Sequence, residues 1–421
     1  MDPEPGRWLE IPHLRHPAIA LTFGPMYRRL LPFYLLAGGM VLASLVLEQI
    51  NGRFWVNDFR VYYMAADNMR HGLPVYGEVF GEDTGLYKYA PVVLYFFQPY
   101  TFLPFQVAAT LHVLVIGLLL MACFTVIERS LGRFMPGLPR PALRAVLGLL
   151  CIAVLLAREL HMGNINMGLI LLATLGVERL LAGRPVQAGI TWGIVWLIKP
   201  YLLLMIVPLV VRREWRVLRT AGATMLIGLL LPLPLEGPRM WWELLREWGH
   251  SMLYHTEVMD SPDRIGAILG KPFGLATSTM VDAVFIAIAG LALAWFSFRN
   301  TQRETAPAET SMDGAFELWL AMAAVPNLVI TDQQHFMFAL PLVLFVLAQL
   351  FTRRDRTVLF GFLLAMLLHA TRSTDLWGSR VENMLVGWGV LGSGNILLMA
   401  VAGLAWLHSR TRPGKARPAS V

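Results

Sequence analysis

The sequence predicts an all-α, polytopic membrane protein, and three observations carry that prediction. Of the 421 residues, 56% are hydrophobic and only 15% are charged. The mean hydropathy is +0.56. A soluble core cannot bury so much apolar surface, so the surrounding solvent must be lipid. The third observation is a series of apolar runs that are long enough, or nearly long enough, to cross a bilayer.

Twelve such runs divide the chain, which predicts about twelve transmembrane helices in a single domain over residues 1–421. They lie at about residues 30–49, 105–127, 144–160, 167–182, 186–198, 200–211, 218–235, 279–298, 316–330, 336–351, 357–370 and 385–407. Several are shorter than the ~20 residues of a free-standing span. We expect these runs to be tilted, broken or shielded by neighbouring helices.

The basic residues predict the orientation. If the N-terminus is cytoplasmic, every Arg-rich loop and the basic tail, residues 408–421, fall on the cytoplasmic side. This requires that residues 89–104, which contain three prolines, do not span. The predicted location is a bacterial inner (plasma) membrane, with both termini cytoplasmic. The net charge of +7 then belongs to cytoplasmic loops and the tail rather than to a nucleic-acid surface.

In this topology the unusual polar segments share the outer face. They are a first outer loop with amphipathic helices (51–104), the segment 161–168, the turn at Lys199, a large outer loop (236–278), and residues 331–335 and 371–383. Ionisable groups at membrane depth are costly. Their convergence on one side therefore indicates a functional site that faces outward.

Asp58 is the candidate catalytic residue, because it directly follows the first apolar run and opens an amphipathic segment. A carboxylate there could act as a base on an acceptor hydroxyl at the membrane surface, with Tyr62 on the same helical face. Alternatively, Asp58 caps the helix that follows. The two roles are compatible.

Three cations are candidates for binding a lipid phosphate. Lys199 stands between two apolar runs, where a cation is costly unless it meets an anion or water. Lys88 lies between two tyrosines, and a side chain that only reaches to the interface explains it equally well. Arg372 lies in the last outer loop, where pairing with a neighbouring carboxylate is the alternative.

The other candidate residues are polar groups of the outer segments. His335, with Asp332 three residues earlier, can donate a proton to a phosphate or sugar oxygen. The candidates for binding substrate are Tyr62, Tyr89, Asn164, Asn166, Gln334 and His255. At least one of Asn164 and Asn166 is expected simply to satisfy backbone groups at a helix break.

No metal or other cofactor is expected. The histidines of the large outer loop lack metal-ligand spacing, and both cysteines lie inside apolar runs. The chain contains no glycine-rich phosphate-binding loop and has too little soluble sequence for a nucleotide-sugar domain. Any donor substrate is therefore expected to arrive within the membrane.

Several motifs in order resemble the GT-C glycosyltransferases, and most of all glycosyltransferase family 87, the polyprenol-phosphate-mannose-dependent mannosyltransferases. They are an Asp after the first span, G-x-P-V-Y at 72–76, Y-K-Y-A-P at 87–91, G-N-I-N at 163–166, I-K-P at 198–200, and a His at the start of a late helix. The family often has G-Q-x-N and Y-x-Y-P-P at the corresponding places, so this chain departs from it there.

The resemblance implies a GT-C fold and transfer of a hexose, mannose in that family, from a polyprenyl-phosphate donor to a glycan or glycolipid. It implies that Asp58 is the catalytic base, that His335 assists, and that the sugar is inverted. The leaving phosphate then faces cations, with Lys199 and Lys88 the foremost candidates. The alternatives are a transporter or flippase of lipid-linked sugars and a non-catalytic partner in an envelope-polymer machine.

Overall fold

A computed structural model describes residues 24–81, 85–258, 261–274, 279–303, 312–329 and 332–411 of the protein. These residues are mostly helical, and the only β feature among them is an isolated antiparallel bridge between Val79 and Leu86. The predicted all-α class is confirmed.

The helices follow one another along the chain, with 3-10 helices labelled η. The first half contains α1 (Gly24–Ile50), α2 (Asn57–Arg70), η1 (Pro91–Val93), α3 (Leu94–Phe97), η2 (Gln98–Phe102), α4 (Phe105–Phe134), α5 (Pro141–Cys151), α6 (Ala153–Met162), α7 (Asn166–Leu181), α8 (Pro185–Ile198), η3 (Pro200–Met205) and α9 (Ile206–Val211). The second half contains α10 (Trp215–Leu230), α11 (Pro232–Val258), α12 (Ile265–Gly270), η4 (Lys271–Phe273), α13 (Thr279–Thr301), α14 (Met312–Leu328), η5 (Gln333–Ala339), α15 (Leu340–Arg353), α16 (Arg356–His369), α17 (Thr374–Gly387) and α18 (Val390–Thr411).

Five helical stretches in the described ranges are long and apolar enough to cross a membrane. They are Met26–Ile50, Phe105–Phe134, Met280–Thr301, Gln333–Arg353 and Val390–Arg410. Two bent pairs, α10 with α11 and α16 with α17, raise the number to seven if each pair forms one span. The protein is a multi-pass integral membrane protein. The total of twelve spans stays a prediction.

Several predicted runs are divided in the structure. The run 144–160 breaks at Ile152, between α5 and α6, and the run 385–407 starts as a membrane helix only at α18, after a break at residues 388–389. Residues 89–104, predicted not to span, form three short helical segments from Pro91 to Phe102, too short for a free-standing span. The last helix extends into the predicted basic tail as far as Thr411, and residues 412–421 lie outside the described residues.

The packing brings several helix breaks together. Helix α7 packs between α4 and α8, and α8 also packs against α10. The segment η5 contacts α6, α7 and α14, while α2 contacts both α4 and α6. The link between α6 and α7, the start of α2, and η5 therefore meet on one side of the bundle. Irregular backbone at membrane depth is tolerated only where other protein covers it or it lines a cavity.

Helix α2 does not use Asp58 as its cap, so the capping interpretation is wrong. The residue before the helix is Val56, in the left-handed conformation (φ 40°, ψ 56°), and no side chain caps the helix there. Asp58 is the second residue inside the helix, and its carboxylate accepts a hydrogen bond from the side chain of Asn164 instead. The side chain is therefore available for contacts across the bundle.

Gly163 fixes the distance between α2 and the α6–α7 link. It ends α6 in the left-handed conformation (φ 64°). A Cβ at this position would lie 2.9 Å from Cβ of Phe59 and 3.2 Å from Cβ of Val56. The imidazole Nε2 of His112 donates to the carbonyl of Gly163 at 3.1 Å, while its ring stacks on Phe59. Only glycine meets both the backbone and the space requirement here.

We expect Gly163→Ala to lower the free energy of unfolding by at least ~2 kcal/mol, since left-handed strain and overpacking add. Gly183→Ala is the matched control, because Gly183 also has positive φ (68°) but has nothing within 4 Å of a built Cβ. The control should cost only ~1 kcal/mol. Unfolding in mixed detergent micelles measures both. If both variants lose the same free energy of unfolding, the close approach of Phe59 and Val56 to Gly163 does not contribute to stability.

Candidate active site

The ammonium group of Lys199 lies at the centre of a buried polar cluster. Lys199 follows the last residue of α8, where the chain turns into η3 at Pro200, and only 3% of it is exposed. Its Nζ donates to Oδ1 of Asn166 at 2.7 Å and contacts Nε2 of His335 at 2.5 Å. The ammonium group is therefore buried inside the protein with two polar partners from other helices, and it does not extend to the membrane interface.

Both ring nitrogens of His335 have close neighbours. An ammonium group has only donors, so Nε2 of the imidazole accepts from Lys199. Nδ1 meets the backbone of Asp332, 3.0 Å from its N–H nitrogen and 3.1 Å from its carbonyl oxygen. Asp332 also caps η5 through its side chain. The cap thus fixes the ring that meets Lys199.

Glu159 belongs to the same cluster, although it is not among the residues predicted from the sequence. This carboxylate of α6 is fully buried and accepts hydrogen bonds from Nδ2 of Asn166 at 2.8 Å and from the backbone N–H of Met167 at 3.1 Å. The amide of Asn166 therefore bridges Glu159 and Lys199. The sequence does show a carboxylate inside the apolar run 144–160, but the predicted site residues were drawn from polar segments between the runs.

Asp58 is connected to this cluster through the neighbouring asparagine. Nδ2 of Asn164 donates to one carboxylate oxygen of Asp58, and Oδ1 of Asn164 accepts from the N–H of Ile165 at 2.7 Å. Burial and the charge of Asp332 raise the pKa of Asp58 to about 6, against the lowering effects of Asn164 and the two lysines, 88 and 199. A carboxylate with this pKa takes up and releases protons near neutrality.

Helix α11 holds the segment that carries Lys88 and Tyr89. Trp248 Nε1 donates to the carbonyl of Lys88 at 3.1 Å, and Ser251 Oγ donates to that of Tyr87 at 3.0 Å. The Tyr89 hydroxyl lies 3.1 Å from the hydroxyl of Tyr62, one turn along α2 from Asp58. The segments predicted to form the large outer loop and the first outer loop therefore pack together.

The side chain of Lys88 has no hydrogen bond or ion pair within the part of the chain that the structure describes. It is half-buried. Burial lowers its pKa, while Asp332 and Asp58 raise it. Lys88 thus offers a second cation to the site, one whose donors are not taken by protein groups.

Of the three remaining predicted residues, the two whose side chains the structure describes make no hydrogen bond or ion pair with Lys199 or Asp58. Arg372 pairs with the buried Asp263 of the 261–274 segment. Its phosphate role stays a prediction that requires this pair to open. Gln334 is buried beside His335, and its Oε1 has no hydrogen-bond partner among the described residues. The side chain of His255 lies outside the described residues.

No group of three histidine, cysteine, aspartate or glutamate side chains is placed to hold a metal ion within the described ranges. The expectation that no metal is required stays a prediction. Chemically, the cluster combines a proton acceptor near neutrality with buried cationic and neutral donors. This combination suits removal of a proton from one group and stabilisation of an anion on another.

Comparison with known families identifies the chain. The model of glycosyltransferase family 87 matches residues 87–321, more than half of the protein. The chain belongs to glycosyltransferase family 87. The resemblance to this family in the sequence is confirmed. The matched region includes Glu159, Asn166 and Lys199, whereas Asp58 lies before it and His335 after it.

Two curated relatives bear the name alpha-(1->3)-arabinofuranosyltransferase. Both are from Mycobacterium tuberculosis, one from strain CDC 1551 / Oshkosh and one from strain ATCC 25618 / H37Rv. Each is 27% identical over 204 residues, which cover 48% of this chain and 46% of the relative. The match thus spans about half the length of these relatives.

A double-mutant cycle tests the bridge between Glu159 and Lys199. Each of Glu159→Gln and Lys199→Met should destabilise the protein by ~2–4 kcal/mol, because each leaves the opposite charge buried without its partner. The double variant should lose less than the sum by ~1 kcal/mol or more, measured by unfolding in detergent micelles. Strict additivity would contradict the bridge. The pair Arg70 and Asp67, which is on the surface of α2, serves as the control cycle and should couple weakly.

Proposed function

We propose that the protein is a membrane glycosyltransferase that moves a sugar from a polyprenyl-phosphate donor to a hydroxyl group of a glycan or glycolipid. Membership of glycosyltransferase family 87 supports sugar transfer. The single observation that carries the chemistry is the connection of Asp58 and Lys199 to two asparagines of one short loop. These hydrogen bonds link the proposed base to a buried cation.

In the proposed reaction the acceptor hydroxyl attacks the anomeric carbon from the side opposite the lipid phosphate. Asp58 takes the hydroxyl proton as the new carbon–oxygen bond forms. The bond between the anomeric carbon and the phosphate oxygen breaks, and its electron pair leaves with the polyprenyl phosphate. The configuration at the anomeric carbon is inverted, and the proton remains on Asp58 until solvent removes it.

The phosphate gains negative charge during this step, so the cations act on the leaving group. We assign the stabilisation of the leaving phosphate to Lys199 and Lys88. His335 orients Lys199 through their direct contact. Tyr62, Tyr89, Asn164 and Gln334 then border the sugar and the acceptor. The donor needs no metal in this mechanism, because side-chain cations stabilise the phosphate.

Two sugars are candidates for the donor. The resemblance in the sequence favours mannose. The relatives named alpha-(1->3)-arabinofuranosyltransferase favour arabinofuranose as the second candidate. The basic loops support an active site on the extracytoplasmic face, with both termini cytoplasmic. The mycobacterial origin of the relatives favours a bacterial inner membrane as the location.

Asp58→Asn tests the base directly. In liposomes with polyprenyl-phosphate mannose or arabinofuranose and a panel of glycan acceptors, we expect transfer to fall at least ~100-fold, because Asn cannot accept the hydroxyl proton. Asp67→Asn is the matched control in the same helix, since Asp67 pairs with Arg70 at the surface. It should keep the wild-type rate.

The outcomes separate the alternatives. Wild-type transfer with an active Asp58→Asn variant would rule out Asp58 as the base while leaving the transferase proposal standing. A wild type that transfers no sugar from either donor, yet moves lipid-linked sugars across the bilayer, would favour the flippase alternative.

The pH dependence of transfer tests the environment of Asp58. The base works only when ionised, so the wild-type rate should rise with pH through about 6 and level off above it. Asn164→Ala removes a hydrogen bond that lowers the pKa of Asp58, so the rising limb should move to higher pH. The variant should be slow at pH 6 and partly recover at pH 8. An unmoved limb in the pH–rate profile would mean that Asn164 does not tune the base.

A further inference from the structure

Tyr201 carries a buried hydroxyl group that makes no hydrogen bond to any described residue. It follows the Lys199–Pro200 turn, in η3. Its Oη is buried and has no hydrogen-bond partner in the described part of the chain. Buried tyrosine hydroxyls usually find a partner, because an unpaired one loses its hydrogen bonds to water. Such an orphan group beside a candidate active site suggests that a ligand atom completes it.

The surroundings of Tyr201 place this hydroxyl in the polar cluster. Its ring meets the ring of His335 edge-on, with centroids 5.8 Å apart and an interplanar angle of 83°. The ammonium of Lys199 lies 5.7 Å from the ring centroid. The ionisable groups that interact electrostatically with the hydroxyl are Tyr89, Asp332 and Glu159. Tyr201 thus lies close to the polar cluster, with its ring against His335 and Lys199.

The chemistry of the neighbours defines the ligand atom. Two of the three N–H donors of Lys199 are directed to Asn166 and His335, so the ammonium keeps one donor for a ligand. A ligand group that meets both this donor and a phenol O–H is best satisfied if it is an anionic oxygen. We infer that the Tyr201 hydroxyl donates a hydrogen bond to a non-bridging phosphate oxygen of the lipid-linked donor. This inference rests on the proposed function.

The bond should matter most in the transition state. As the bond from the anomeric carbon breaks, negative charge grows on the phosphate, and a donor aimed at it becomes stronger. Interactions that strengthen in the transition state change kcat more than KM. We therefore expect Tyr201→Phe to lower kcat by about tenfold to a hundredfold, with a smaller change in KM.

The same variant has a distinctive stability signature. Because the hydroxyl has no hydrogen-bond partner among the described residues, its removal should leave the unfolding midpoint unchanged or slightly higher. Tyr34→Phe is the matched control, since the Tyr34 hydroxyl in α1 lies 2.7 Å from Oγ1 of Thr125. The control should lose stability and keep the wild-type rate. Together the two variants separate a hydroxyl that serves a ligand from one that serves the fold.

The experiment measures transfer kinetics in liposomes, and thermal unfolding in detergent with and without polyprenyl phosphate. Wild type should be stabilised by this product, and Tyr201→Phe should be stabilised less. The inference is supported if Tyr201→Phe transfers sugar more slowly, unfolds at the wild-type temperature without ligand, and is stabilised less by polyprenyl phosphate.

Three results would overturn the inference while leaving the proposed function intact. They are unchanged kinetics of Tyr201→Phe, a loss of stability as large as that of Tyr34→Phe, and slow transfer with wild-type stabilisation by polyprenyl phosphate. The last result would place the hydroxyl on the sugar or acceptor rather than on the phosphate. By contrast, a wild type that neither transfers sugar nor gains stability from polyprenyl phosphate would refute the proposed function itself.

Discussion

The rest of the candidate site depends on the burial of one ammonium group. Lys199 is 3% exposed at the turn between α8 and η3, where an unpartnered cation would cost several kcal/mol. The carbonyl of Asn166 and the ring of His335 receive its donors, and Glu159 supplies opposite charge through Asn166. Each of these partners comes from a different helix or helix end. The requirement to satisfy one charge therefore ties distant segments of the chain together.

Breaks in the helices make this arrangement possible. A continuous helix satisfies its own backbone and presents only side chains, whereas a break releases backbone groups and changes the direction of the chain. The cluster uses the breaks that follow α6, α8 and α14 and the start of α2. At each of them a polar side chain turns inward. Gly163 allows one of these breaks to lie directly against Phe59 and Val56 of the segment that opens α2.

The sequence predicted the class of fold and several residues of the buried polar cluster, for identifiable reasons. Lys199, Asn164, Asn166 and His335 interrupt apolar runs, and such interruptions are visible without coordinates. Glu159 was missed because it lies within an apolar run, directly after Arg158. Pattern alone could not reveal that an asparagine seven residues later would satisfy it.

Other limits of prediction arise from backbone geometry and long-range pairing. Asp58 is not the helix cap, because α2 begins directly after Val56, which adopts a left-handed conformation. No local sequence pattern predicts that conformation. The helix divisions at Ile152 and at residues 388–389 likewise fall inside runs that read as continuous. The pairing of Arg372 with Asp263 joins residues more than one hundred positions apart.

The loop G-N-I-N joins the two chemical roles of the proposed reaction. Asn164 faces Asp58 and Asn166 faces Lys199, with only Ile165 between them. An inverting transfer needs its base and its leaving-group cation at a fixed separation on opposite sides of the anomeric carbon. Asp58 lies in α2 and Lys199 follows α8, so the hydrogen bonds from this one short segment link the two elements that carry the proposed base and cation. Gly163 lets the segment lie directly against α2.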